Sequence, residues 1–255
     1  MITHTRLATA GVVGVVAIGA AVAPVASATT VSLFGPDTRF GSQGEVFVSG
    51  GDAKDHQINI VQKHGDDAFV ITDSRRFGAL DSGCGRITRH KVRCQTPAPT
   101  GAADVAIHGA AGDDRLRVDD TVEGFATIDG GDGADVIRVA RAARGGGELQ
   151  GGDGADRIIG GRGGESIGDG DGADLVRGRG GEEIVFVDLF SQDRGHNRIF
   201  TGAGADLILA KNGHRDEVLD CGGGRDEAGL DRIDPKPRSC EDLRRYRGTP
   251  RRGRQ

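Results

Sequence analysis

The sequence predicts an all-β protein wound as a thin coil. Three observations carry that expectation: a glycine-rich phrase that recurs through the second half of the chain, one apolar residue at a fixed place in each copy, and a shortage of large core side chains. "GGDGADVIR" begins at Gly130 and "GGDGADRII" at Gly151, and both fit the frame G-G-x-G-x-D-x-U-x, where U is apolar. Trp is absent and aromatics make up 4% of the 255 residues, too few for a conventional interior of that size.

The frame can be laid on the chain eight times, starting at Gly109, Gly130, Gly151, Gly160, Asp169, Gly178, Thr201 and Cys221. Position four is glycine in every copy, position six is acidic and position eight is apolar. Each column has a physical reason. Glycine reaches the positive φ of a tight turn, which side chains with a branched Cβ resist. The apolar residue follows a few positions later and points inward from a short strand. One such unit cannot bury a core, but stacked units bury one another's faces. A disordered glycine-rich linker would not hold three columns in register.

Four copies run without a gap from Gly151 to Phe186, so two nine-residue units make one coil, turning on one side and then on the other. Copies two apart then stack, with Asp156 over Asp174 and Glu165 over Glu183. Elsewhere the spacing is 20 or 21 residues, which reads as a full coil whose far-side turn ("DDTVEG", "RAARGGGE", "KNGHRD") is degenerate. Residues 188–197 read as an insertion.

The flanks complete the organisation. Arg6, the apolar stretch Leu7–Val25 and "ASA" at Ala26–Ala28 form a secretory signal over 1–28, and no second apolar run predicts a membrane span. Residues 29–108 alternate apolar and polar in "EVFV", "INI", "FVI" and "VAI", a small β region that caps the leading edge of the coil, with a turn at Pro97 and Pro99. The coil covers 109–229, and 230–255 form a C-terminal cap and a basic tail, "RRYRGTPRRGRQ". Four cysteines suit an oxidising compartment. They allow three connectivities, and proximity favours Cys84 with Cys94 and Cys221 with Cys240. No C-x-x-C spacing suggests zinc.

Charge and motifs narrow the function. A net charge of −5 argues against a nucleic-acid partner. "GESIG" at Gly164–Gly168 matches a hydrolase nucleophile elbow in letters only, because Ser166 is position seven of a repeat. "DGDGAD" at Asp169–Asp174 lacks the fifth and twelfth ligands of an EF-hand loop. The reading is therefore a non-enzymatic protein. Carboxylates stacked about 5 Å apart repel by roughly 3 kcal/mol at an effective dielectric of 20, so the coil needs a cation, protonation or interleaved arginine. Calcium suits best, since it accepts many oxygen ligands in flexible geometry.

"GGDGADVIR" and "GGDGADRII" resemble the nonapeptide of secreted bacterial RTX (haemolysin-type) calcium-binding proteins. The resemblance covers Gly109 to Gly229 and implies a right-handed parallel β-roll with Ca2+ held between turns. It implies ligands at Asp135, Asp156 and Asp174, then at Asp114, Asp206 and Asp226. Turn groups of Gly130, Asp132, Gly151, Asp153 and Asp171 would complete the set. Glu165 and Glu183 depart from the family's aspartate. "HQINIVQKHGDDAFVITDS", "GCGRITRHKVRC" and "LDCGGGRDEAGLDRID…SCE" resemble the family's strand, hairpin and disulfide-tied terminal repeat. The cleavable N-terminal signal differs from the C-terminal export signal of many members. The expected role is structural or adhesive, outside the cell, with cell-surface polysaccharide or a protein as partner. A calcium-independent solenoid with the same partners is the alternative.

Overall fold

Short runs of β-branched and aliphatic residues, each closed by a Gly/Asp turn, leave the chain no length in which to build helices. A computed structural model describes residues 28–35, 44–51, 54–63, 68–96, 103–140, 146–187 and 195–246, and every element among them is a strand. The expected signal segment before Ala28, the expected turn at Pro97 and Pro99, residues 188–194 and the tail after Tyr246 lie outside the described residues. No described helix is long and apolar enough to cross a membrane.

The N-terminal strands are β1 (Thr29–Phe34), β2 (Glu45–Ser49), β3 (Gln57–Lys63), β4 (Ala68–Thr72), β5 (Phe77–Leu80), β6 (Cys84–Thr88) and β7 (Lys91–Gln95). The repeats begin with β8 (Asp104–Ala111), β9 (Arg115–Val118), β10 (Ala126–Asp132), β11 (Val136–Val139), β12 (Gly147–Asp153), β13 (Arg157–Ile159) and β14 (Glu165–Asp171). They continue through β15 (Leu175–Arg177), β16 (Ile184–Phe186), β17 (Arg198–Gly204), β18 (Leu207–Ala210), β19 (Val218–Gly224), β20 (Glu227–Asp231) and β21 (Asp242–Tyr246).

From β8 onward the chain alternates between two sheets. Through β20 the even-numbered strands enter one, whose full order is β21-β20-β18-β16-β14-β12-β10-β8-β2-β1-β5, and the odd-numbered strands enter the other, β19-β17-β15-β13-β11-β9-β3-β4-β7-β6; β21 breaks the alternation by following β20 in the first. Every pairing between coils is parallel and in register, as in Ile137 opposite Ile158 and Ile158 opposite Val176. The architecture is a parallel β-solenoid, consistent with a β-roll. The N-terminal strands belong to the same stack: β2 pairs in parallel with β8, and β3 with β9. Antiparallel β1 and β4 then join the stack, and β5 and β6 form the two leading edges.

The core is two facing ladders of aliphatic residues. In the odd sheet Ile58, Leu116, Ile137, Ile158, Val176, Ile199 and Leu219 are 0–1% exposed, and Ile128, Leu149, Ile167, Val185, Ile208 and Ala228 in the even sheet are fully buried. Each of these side chains other than Ala228 contributes roughly 1.5–3 kcal/mol on burial. Because a coil supplies only one or two of them per sheet, stability accumulates by stacking. Disulfides Cys84–Cys94 and Cys221–Cys240 are formed, the first across β6 and β7 and the second tying β19 to the C-terminal segment.

Candidate functional site

Position six of each repeat lies where a turn enters a strand, and its side chain points into the coil. Asp114, Asp135, Asp156, Asp174, Asp206 and Asp226 are each 0–2% exposed. Burying a carboxylate is costly unless something bonds it. Here the backbone of the neighbouring coil does half of that work. The N–H of His56 donates to Asp114 Oδ1 at 2.6 Å, that of Asp114 to Asp135 Oδ1 at 2.7 Å and that of Asp135 to Asp156 Oδ1 at 2.8 Å. Asp156 then donates to Asp174 Oδ1 at 2.7 Å, and Asp174 to Asn197 Oδ1 at 2.8 Å. Asp135, Asp156 and Asp174 therefore stand on one side of the stack, as the sequence predicts.

The remaining two aspartates stand on the other side. Glu183 N–H donates to Asp206 Oδ1 and Asp206 N–H to Asp226 Oδ1, each at 2.9 Å, and Asp226 N–H donates to Glu241 Oε2 at 2.8 Å. This second ladder continues the column of Glu165, which opens β14, and Glu183, which precedes β16, two strands that pair in register. Asn197 takes the place of an aspartate on the first side.

The second carboxylate oxygen has no such donor. Oδ2 of Asp114, Asp135, Asp156, Asp206 and Asp226 is buried without a hydrogen-bond partner. In the first ladder its neighbours are oxygens. A Cβ built on Gly130 would overlap both Asp135 Oδ2 and the carbonyl oxygen of Gly151; one on Gly109 would overlap Asp114 Oδ2 and the carbonyl of Gly130. On Gly151 it would overlap Asp156 Oδ2 and the carbonyl of Asp169. This close approach explains the glycine at position one. Position four needs it for a different reason: Gly133 has φ 130°, and its hydrogen faces the carbonyl of Gly112.

Asp132, Asp153 and Asp171 are placed differently. Their strands stack in register, but the side chains of Asp132 and Asp153 are exposed and that of Asp171 is half-buried, unlike the buried position-six aspartates. Their carbonyls accept the N–H groups of Gly112, Gly133 and Gly154, each at 2.7 Å. Through these bonds the three residues hold the turns together, and the charges of Asp132 and Asp153 act on Asp135 and Asp156.

Electrostatics follow from burial. It pushes the carboxyls of Asp114 and Asp156 up to about 7 and that of Asp135 up to about 6, against the lowering effect of the backbone donors. Nearby Asp113, Asp129 and Asp132 add to the rise at Asp135. On the other side burial lifts Glu165 to about 7, and burial with the neighbouring Asp206 and Glu165 carboxyls lifts Glu183 to about 9. A divalent cation would supply the missing positive charge. The donor set fits a hard one: only oxygens are offered, one carboxylate from each coil with backbone carbonyls beside it. Among the described residues no three His, Cys, Asp or Glu side chains converge on one point. The carbonyls of Gly130, Gly151 and Asp169 would thus be essential partners of Asp114, Asp135 and Asp156.

Four further residues matter that the motif did not single out. His56 starts the first ladder; its ring Nδ1 lies 2.7 Å from Asp73 Oδ2, which the Thr29 hydroxyl also meets. Burial alone would raise Asp73, but those bonds and the histidine's charge overcome it and hold the carboxyl down at about 2. Asn197 and Glu241 end the ladders, and "GHNRI" and "CEDL" contain the traces that could have found them, a six-eight spacing with Asn or Glu in place of Asp. Arg179 is the fourth. It sits at position two with φ 84°, where the other repeats use glycine or alanine. Its Nη1 donates to the Gly160 carbonyl at 3.2 Å and the Val139 carbonyl at 3.4 Å, and its charge lowers the Glu165 carboxyl. A guanidinium thus lies among the carbonyls of the second side.

No known family model, curated protein or solved structure matches this chain. The functional reading therefore rests on the geometry.

Proposed function

We propose that the chain is a secreted calcium-binding β-roll, structural or adhesive rather than catalytic. The observation that carries this reading is the file of buried Oδ2 atoms at Asp114, Asp135 and Asp156, each beside a backbone carbonyl and without a donor. Oxygens placed so close repel unless a cation or a proton lies between them. Calcium satisfies several such oxygens at once and tolerates their irregular geometry, whereas magnesium demands a stricter octahedron. Oδ2 of Asp114, Asp135 and Asp156 with the carbonyls of Gly130, Gly151 and Asp169 would hold it. The ion would neutralise the interior of the stack and so couple folding to the calcium concentration of the medium. Two disulfides and the apolar N-terminal segment support a location outside the cytoplasm.

A calcium-independent solenoid is the second reading, favoured by Arg179 and by the N–H donors already bound to every Oδ1. Counting bound calcium per chain, together with far-UV circular dichroism in calcium and in chelator, separates the two. The first reading requires bound ions and a gain of β signal or melting temperature with calcium. A chain that binds none and melts identically in chelator leaves the second.

A further inference from the structure

A net charge of −5 conceals a sorting of charge by face. Strands β9, β11, β13, β15 and β17 carry six arginines and no acidic residue or lysine. Strands β8, β10, β12 and β14 of the opposite sheet carry aspartates and glutamates and no arginine or lysine. All six arginines alternate with buried residues and are exposed. The parallel register sets them in rows. One row reads Arg115, Val136, Arg157, Leu175, Arg198, Val218, a strict alternation of cation and aliphatic side chain across the strands. The next row places Arg117 beside Arg138, with Arg177 two strands beyond.

Internal partners account for half of these charges. Arg117 pairs with Asp119 at 3.0 Å, Arg198 with Glu217 at 3.7 Å, and Arg177 lies 5.9 Å from the centre of the Phe200 ring. The guanidinium groups of Arg115, Arg138 and Arg157 make no ion pair or hydrogen bond among the described residues. Like charges on a rigid lattice repel, and the opposite sheet shows that the fold does not require arginine at these outward positions.

We propose that the outer face of the odd-numbered sheet is a docking surface for an extended polyuronate, an acidic polysaccharide laid along the stacking direction of the coil. The proposal names the partner of the adhesive role and rests on that reading only for its extracellular setting. Three features select this chemistry. Guanidinium is a planar fork that pairs two-to-two with a planar carboxylate. Strands lie about 4.8 Å apart, so the alternating arginines recur at roughly 9.6 Å. In an extended 1,4-linked chain successive sugars flip, so carboxylates facing one surface recur at every second unit. Val136 and Leu175 would then lie beneath the rings between them. Single-stranded nucleic acid matches less well, because Phe200 is the one aromatic in these five strands and base stacking needs a series of them.

The test titrates the full chain, at fixed free calcium, with a 1,4-linked mannuronate octamer, a neutral oligomer of equal length, a sulfated glycan, a single-stranded oligonucleotide and anionic lipid vesicles. The octamer is expected to bind most tightly, and the neutral oligomer not at all. Combined Arg115→Gln, Arg157→Gln and Arg198→Gln should weaken it about tenfold or more. Melting temperature and bound calcium should not change, and Glu148→Gln on the opposite sheet should leave the affinity intact. If the triple glutamine variant misfolds, the triple lysine variant keeps the charge but loses the fork, and weaker binding is again expected. Undiminished octamer binding by whichever triple variant folds, or tighter binding of oligonucleotide, sulfated glycan or vesicles, overturns the proposal. A chain that binds no calcium yet loses the octamer in the variant defeats only the metal reading; the reverse pattern defeats only this surface.

Discussion

Asp135 and Asp156 are joined by a hydrogen bond that uses only half of the acceptor's carboxylate. The backbone N–H of Asp135 donates to Asp156 Oδ1 at 2.8 Å, while Asp156 Oδ2 is buried beside the Gly151 Cα with no donor. The bond fixes the register of two coils, and the unused oxygen leaves an electrostatic demand. Asn197 shows that the bond survives without the charge, since its Oδ1 accepts from Asp174 at 2.8 Å.

The combined variant Asp135→Asn, Asp156→Asn should therefore separate the two functions. Amide oxygens keep the N–H bonds, and two buried charges disappear. In chelator the variant is expected to melt at a higher temperature than the native chain. In calcium it should gain less. Each lost site forfeits about 1.4 kcal/mol when calcium exceeds its dissociation constant tenfold. Paired thermal melts by circular dichroism give both signs, and an equal calcium response in the two proteins counts against bound metal at the first ladder.

Without metal, stability should fall as pH rises toward neutrality. Asp114, Asp135 and Asp156 have folded-state pKa values near 7, 6 and 7, raised by burial above the ordinary carboxyl value of 3.8. Between that value and the raised ones the folded chain holds more protons than the unfolded chain, so added protons favour folding. The stabilisation is complete below about pH 4 and is lost as pH climbs through 6 to 7. Calcium competes with those protons, so its stabilising effect should grow over the same interval. Melting temperatures from pH 4 to 8 in chelator test the sign; a curve that rises toward pH 7 contradicts it.

Arg179 supplies a separate prediction for the second side. A residue other than glycine at φ 84° carries strain of about 1–2 kcal/mol, which Arg179→Gly would relieve. The same change removes the cation beside Glu165. We expect a net loss of stability at neutral pH, because an uncompensated buried charge costs more than the strain. Glu165→Gln in that background should restore it. Urea unfolding of both variants decides the matter: a more stable Arg179→Gly alone would make the arginine's charge irrelevant.

Two glycines should respond very differently to alanine. Gly133→Ala drives a Cβ into the Gly112 carbonyl at φ 130°, and a loss of about 2 kcal/mol or more is expected. Gly180 has no positive φ, and its nearest neighbour, the Ala203 carbonyl, lies 3.5 Å from the Cβ position, so Gly180→Ala should change stability by less than about 0.5 kcal/mol. Urea midpoints measure both.

Much of this molecule was legible in its residues because the repeat is local. Glycine at position four, acid at six and an aliphatic at eight each answer a need met within nine residues. The coil, its parallel register and the stacking of Asp156 on Asp174 followed from them, and the disulfides followed from the short spacing of the cysteines. What the sequence alone could not assign was the side of the stack for copies beyond the contiguous run. Asp206 and Asp226 share the column of Glu165 and Glu183, and Asn197 and Glu241 end the ladders, because side depends on the number of half-coils between copies. Degenerate turns and the 188–197 stretch hide that number. The half-used carboxylates, Arg179 among the carbonyls and the arginine face were likewise decided in three dimensions. Each depends on which atoms of different coils are brought within a few ångströms, a distance that chain spacing does not encode.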